Sequence, residues 1–297
     1  MWPRMEPPGR LRPSSTGYSA IRNRHSRIPL TLHADYALPN NVLQKGPPMP
    51  NALDEACYQL ALANRIVAHE GVLDGFGHIS IRHPDDPARY LLSRSRSPEL
   101  VEPSDILAFS LDSKLLTPTS ELPYGECVIH GCIYQLRPDV NAVCHHHSMA
   151  ILPFCVTGVA LRPLIGLGAT MGGAVPFWDS RDEFGDTPMV VTTPEQGLSL
   201  ARALGSNAMV LMRRHGATVV GATLQETVFR SIFSHRNAEL QLRAQALGEI
   251  APLTQGEAAL AESYSLRVRP MGRAWEYWTT RLAKAGELPP HEPVPSG

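Results

Sequence analysis

With 297 residues, 43% of them hydrophobic and 19% charged, the chain has room for one large α/β domain or two small ones. A net charge of −1 carries no basic excess of the kind that binds nucleic acid, and no apolar run approaches the ~18 residues of a membrane-spanning helix. Five cysteines (Cys57, Cys127, Cys132, Cys144 and Cys155) have a spacing that fits neither a disulfide framework nor a zinc ribbon, so reduced thiols and a cytoplasmic location are expected.

Residues 1–50 are rich in proline and arginine, poor in acids, and hold no hydrophobic period, which predicts a disordered or loosely packed arm. Two readings of its origin stay open, a transit peptide and an over-extended start with the true one near Met49. A catalytic domain is expected over 51–288, followed by a proline-rich tail over 289–297. From Leu53 to Val67 apolar residues recur at three-and-four spacing, which predicts a helix. Gly71, Gly75 and Gly77 break it and lead into HISIR, an alternating strand, and the Pro84–Pro87 turn returns through Tyr90-Leu91-Leu92 as a hairpin. A polar loop with Arg94 and Arg96 precedes the strand ILAFSLD; a helix over Glu126–Leu136 and a strand over Asn141–Cys144 follow.

Beyond Ala150 lie an apolar stretch to Val159, the glycine-rich GLGATMGG and an aromatic-acidic loop, PFWDSRDEFGDTP. Those glycines lack the strand–GxGxxG–helix setting of a dinucleotide site. Met189–Val191 reads as a short strand, and Thr193-Pro194-Glu195 opens a helix through Leu204. AMVLM and ATVVG read as buried strands on either side of His215. A long helix over Leu224–Leu247 and a last one over Arg273–Ala285 complete the pattern. Strands and helices mixed without strict βαβ alternation predict an α/β sandwich rather than a doubly wound sheet.

The chemistry concentrates between Glu126 and His147, ECVIHGCIYQLRPDVNAVCHHH. On a strand the side chains repeat with period two, so His145 and His147 share a face while His146 points away and is structural. A third imidazole, His215, stands behind another apolar run. Three imidazoles and one carboxylate form the donor set of a catalytic divalent-metal site, with zinc, manganese or iron suited to it. Glu126 fits two roles, a carboxyl of raised pKa serving as general acid or base, or a first-turn glutamate favoured by the helix dipole. Spacing alone does not decide between them.

The run E-x3-H-x3-Y-x2-RPD-x3-AV-x-H-x-H, with HG much later, resembles the class II aldolase/adducin family over roughly Leu53–Leu247. The resemblance implies a three-layer sandwich in which helices flank a central, largely antiparallel sheet. It implies one divalent metal per subunit on His145, His147 and His215, with Glu126 as acid/base aligned through Arg137-Pro138-Asp139, leaving Glu121 out of register. It also implies a homo-oligomer, commonly a tetramer, whose C-terminal helix reaches a neighbour's site.

The departures shift the expected substrate. Sugar-phosphate members cradle phosphate with small hydroxyl and amide donors. Here those positions carry Gly77-His78-Ile79-Ser80, the loop Ser93-Arg94-Ser95-Arg96-Ser97, and Tyr124-Gly125 before the glutamate. Guanidinium groups clamp carboxylates. SIRHPDDPARYLLSRSRSPELV and RAWEYW are similar to the subgroup that decarboxylates hydroxyaromatic acids. The expectation is a metal-dependent decarboxylase of an aromatic carboxylate, with Glu126 protonating the ring carbon. Arg94 or Arg96 would hold a second carboxylate, His78 would lie near the bound acid, and Trp178, Phe184 or Tyr277 would form an aromatic wall. The alternatives are an aldolase or epimerase, a non-haem iron oxygenase, and an adducin-like module without chemistry.

Overall fold

The computed structural model describes residues 51–290. The arm expected over residues 1–50 and the last seven residues of the proline-rich tail lie outside the described residues. In chain order the elements are α1 (Ala52–His69), β1 (His78–Arg82), β2 (Arg89–Ser93), β3 (Ile106–Ser110), α2 (Cys127–Leu136), β4 (Ala142–His146) and α3 (Leu152–Thr157). They continue as β5 (Phe177–Trp178), α4 (Arg181–Phe184), α5 (Pro194–Leu204), β6 (Met209–Met212), β7 (Gly216–Gly221), α6 (Leu224–Gln245), α7 (Gln255–Ser265) and α8 (Val268–Ala285).

The strands form a seven-stranded sheet in the order β3-β2-β1-β4-β7-β6-β5. Every pair is antiparallel except β5 with β6. Alternation along the strands splits the core in two. Ile79, Leu91, Cys144, Leu211 and Val219 face α1, α3, α6 and α8, whereas Tyr90, Leu92, Val143, Val210 and Val220 face α2 and α5. Helices on both faces of a largely antiparallel sheet make the three-layer α/β sandwich that was expected. Two helices are well anchored at their starts: the Asn51 side chain accepts from the Asp54 N–H at 2.7 Å, and Thr193 and Gln196 form a reciprocal capping box. Each such cap contributes about 1 kcal/mol. Among the described residues no helix is long and apolar enough to cross a membrane, and all five cysteines are free and buried.

Three expectations need correction. Met189–Val191 is not a strand, because Met189 takes a φ of 65°, which breaks the extended chain. Its place at the sheet edge is taken by β5, inside the stretch read as an aromatic-acidic loop. The helix α7 was missed: among its residues only Ala258 and Ser265 are buried, so no apolar period announces it. Its Thr254–Glu257 capping box was the readable signal.

The chain bends tightly where β6 turns into β7. Met212 pairs with Gly216, and the three-residue loop between them carries Arg214 at a φ of 53° and delivers His215. Gly216 packs directly against the strand end that carries the histidines. A Cβ there would run into the His146 carbonyl oxygen and lie 3.0 Å from the His147 ring. Gly216→Ala is therefore expected to lower stability by about 1–3 kcal/mol, the usual cost of overpacking against backbone, measured as a reduced urea midpoint.

Candidate metal centre

The site is assembled at one end of the sheet. β4 ends there, while its antiparallel neighbours β1 and β7 begin there, so His145 pairs with His78 on one side and Thr218 on the other. His147 continues the alternation just past β4, and His215 arrives from the β6–β7 loop. His146 points to the opposite face and is fully buried. The carboxylate comes from above: Glu126 is the residue that opens α2, and its side chain does not cap its own helix.

Glu126, His145, His147 and His215 each offer one ligand atom, and these atoms lie within 4.8 Å of one another. His145 Nε2 is 3.0 Å from His147 Nε2 and 3.5 Å from Glu126 Oε2, and His215 Nε2 is 3.5 Å from Glu126 Oε1. The Nδ1–H of His145 donates to the Ala217 carbonyl at 3.1 Å, which leaves its Nε2 bare and turned toward the other three groups. Glu126 Oε1 is steadied by the Val191 N–H at 3.0 Å. Burial lowers His147 to a pKa of about 4 and His215 to about 3, so both are neutral imidazoles at pH 7, the form a metal needs. Three imidazole nitrogens and a carboxylate oxygen fit a divalent cation such as zinc, manganese or iron.

Of the two roles left open for Glu126, the carboxyl of raised pKa is not the one the surroundings produce. Burial pushes the carboxyl up, but His145, His215 and His78 together outweigh it and hold the group well below the usual carboxylate range. A cation at the site would act in the same direction. Glu126 therefore rests ionised, and any proton it delivers must first be collected.

The cluster opens into a cavity of about 740 Å³ lined in part by Phe76, His78, Arg96, Tyr124 and Met189. The Tyr124 ring lies 4.6 Å from that of His78, and its hydroxyl donates to the Arg96 carbonyl. Behind His78, a residue expected at the site, runs a buried polar chain of Ser80, His130 and Tyr134 to which the sequence pattern assigned no role. His78 Nδ1 is 2.6 Å from His130 Nε2, His130 Nδ1 is 2.6 Å from Ser80 Oγ, and Ser80 Oγ is 2.8 Å from the Tyr134 hydroxyl. Burial lowers His130 to about 3, so it too is neutral. The readable signal was the spacing of Glu126, His130 and Tyr134, four residues apart on one helical face of an otherwise apolar segment.

The two arginines separate. Both are tied to buried Asp105, Arg94 Nε at 2.6 Å from Oδ1 and Arg96 Nη1 at 2.5 Å from Oδ2. Arg94 also reaches Glu121 at 3.2 Å and does not line the cavity. Arg96 does line it, and its described side-chain hydrogen bonds and ion pairs all run through Nη1, with none described for Nε or Nη2. Tyr277 lies 55% exposed in a different groove with Trp278, Phe229 and Phe233, away from the cavity of its own chain. Trp178 is core, its indole N–H donating to Ser199 Oγ, and Phe184 packs against the same core.

Residues 58–242 match the family described as Class II Aldolase and Adducin N-terminal domain. The chain is 29% identical over 243 residues to the decarboxylase tropJ of Talaromyces stipitatus, covering 74% of this chain and 91% of that protein. It is 30% identical over 205 residues to a 3,4-dihydroxyphthalate decarboxylase of Arthrobacter keyseri, covering 64% and 78%. Among solved structures, the L-fuculose 1-phosphate aldolase from Glaciozyma antarctica superposes with a TM-score of 0.67 at 21% identity, over 82% of this chain and 97% of that one.

The Asp105 anchor generates a pH-dependent prediction. Burial raises its pKa, but hydrogen bonds from Arg94, the Glu102 N–H and Arg96 outweigh burial and lower it below the ordinary 3.8. A depressed carboxylate contributes stability that is full above 3.8 and is lost as pH falls through the lower folded value. Asp105→Asn should cost about 1.5–3 kcal/mol near pH 7, the worth of hydrogen bonds to a charged group. Urea titrations at descending pH should show that gap narrowing only below 3.8.

Proposed function

The chain belongs to the class II aldolase and adducin family, and from that premise we propose that it is a divalent-metal-dependent lyase. Its reaction removes CO2, without oxidation, from a hydroxylated aromatic or heteroaromatic carboxylate. The supporting observation is a metal-competent cluster at the base of a cavity walled by an aromatic ring, an imidazole and one guanidinium with unused donors. Similarity to a dihydroxyphthalate decarboxylase favours a substrate with two carboxylates.

In this reading His145, His147 and His215 would hold the cation, with the Glu126 carboxylate close to them. When bound, the cation supplies Lewis acidity, accepting negative charge that builds on the substrate oxygen as the carbon–carbon bond breaks. Glu126, resting as a carboxylate, takes the proton of the substrate hydroxyl and then returns it to the ring carbon that bears the departing group. The C–CO2 bond breaks, its electron pair re-forms the aromatic ring, CO2 leaves, and the product oxygen regains a proton from solvent. The atoms and charge balance without a redox partner. Arg96, fixed through Nη1, turns its remaining N–H groups to the carboxylate that stays. His78 contacts the carboxylate that leaves. A neutral donor suits that position, because a full positive charge there would stabilise the carboxylate more than the uncharged CO2 it becomes. Tyr124 and Phe76 border the ring. The protein works in this reading as a cytoplasmic homo-oligomer.

Purified protein loaded with zinc, manganese or iron(II) should release CO2 from a dihydroxyphthalate and no aldehyde from a sugar phosphate; the reverse pattern overturns the reading. Glu126→Gln should keep its metal, measured by elemental analysis, yet lose about 10²–10⁴-fold in kcat, the range for a positioned acid/base. Arg96→Ala should raise KM for an aromatic diacid about tenfold or more, equivalent to one charge-assisted hydrogen bond, with little change for the matching monoacid.

A further inference from the structure

The chain Tyr134–Ser80–His130–His78 has only one direction that satisfies every buried group. Tyr134 and Ser80 are buried, and the described partner of the Tyr134 hydroxyl is Ser80 Oγ at 2.8 Å. A buried hydroxyl must spend its proton, so Tyr134 donates to Ser80. Ser80 then has its own proton left for its second neighbour, His130 Nδ1 at 2.6 Å. His130 Nδ1 is thereby an acceptor, its proton sits on Nε2, and Nε2–H donates to His78 Nδ1 at 2.6 Å. With Nδ1 accepting, the proton of neutral His78 sits on Nε2. That atom is not among the buried groups without a partner, and the residue lines the cavity beside Glu126. The reversed order would put the Tyr134 proton in a buried space with no described acceptor and would leave a bare nitrogen facing substrate.

We propose that Tyr134, Ser80 and His130 are positioning residues that lock His78 in the Nε2–H tautomer, so that it meets the substrate as a hydrogen-bond donor to oxygen and never as a base. Only the naming of that oxygen as the departing carboxylate rests on the decarboxylase reading; the tautomer does not. The lock matters because an imidazole free to exchange tautomers would present a lone pair to an anionic oxygen for part of the time. A donor held by a buried chain needs no reorganisation when the oxygen arrives.

Long-range 1H–15N NMR on zinc-loaded full-length protein labelled at histidine tests this directly, with His78→Asn and His130→Asn spectra identifying the two rings. The expected spectrum has both His78 and His130 protonated at Nε2 alone, unchanged between about pH 6 and 8 around the ordinary histidine range. A His78 ring protonated at Nδ1, or an imidazolium, overturns the proposal. Tyr134→Phe frees the Ser80 hydroxyl to turn either way, so His78 should become a tautomer mixture and kcat on an aromatic diacid should fall at least fivefold, with KM and metal content little changed. Should Tyr134→Phe fold poorly, Ser80→Ala carries the same expectation. Retention of a single tautomer and full kcat in a folded variant also overturns the proposal. A protein that releases no CO2 but shows the expected tautomer would refute the decarboxylase reading and leave this one standing.

Discussion

The structure depends on the hydrogen-bonded placement of β4 between β1 and β7. Because both neighbours run antiparallel to β4, the end of one strand and the beginnings of two others meet at a single sheet edge. Period-two alternation does the rest: His145, its partner His78 and its partner Thr218 all point toward α2. A one-residue slip of β4 would exchange the His145 face for the His146 face and empty the site. The glycines nearby follow from the same constraint. Gly77, at a φ of 89°, has no room for a Cβ beside the His145 carbonyl, 2.8 Å away, and Gly216 is pressed against His146.

Charge is distributed so that the buried centre is not left unbalanced. His147 and His215 are kept neutral by burial, and Glu126 is the ionised group beside them. Arg94 and Arg96 would repel one another without Asp105, whose two oxygens take one guanidinium each. That arrangement fixes Arg96 through Nη1 and leaves no described partner on its other guanidinium nitrogens. On the far face, Glu70 binds both Arg236 and Arg281, tying α1 to α6 and α8 beneath the sheet. Ionic contacts thus brace the helical layer while leaving the metal edge to imidazole and carboxylate.

Much of the fold was legible because its strands are short, apolar and bounded by turn residues, and because helices such as α1 carry a clear apolar face. Where that signal fails, so does the reading. The surface helix α7 buries too little to show a period, and Met189–Val191 looks like a strand until its backbone leaves the extended region. The polar chain through His130 was passed over because a histidine inside an apolar helix has no meaning until Ser80, some fifty residues earlier, is known to lie opposite it. The sequence pattern could not show that helix α8 packs the neighbourhood of Tyr277 against α6 within its own chain.

What the amino-acid order determined by itself is local: the H-x-H face, the carboxylate at the start of α2, the caps, the turn that delivers His215, and the family pattern that joins them. These follow from periodicity and backbone preference within a few residues. The tertiary structure alone decided which of two arginines faces the cavity, that Glu126 rests ionised rather than protonated, and which way the proton chain behind His78 runs. Each of those depends on groups far apart in sequence sharing a dry interior, where hydrogen-bond direction and charge are set by whichever partners the fold brings within reach.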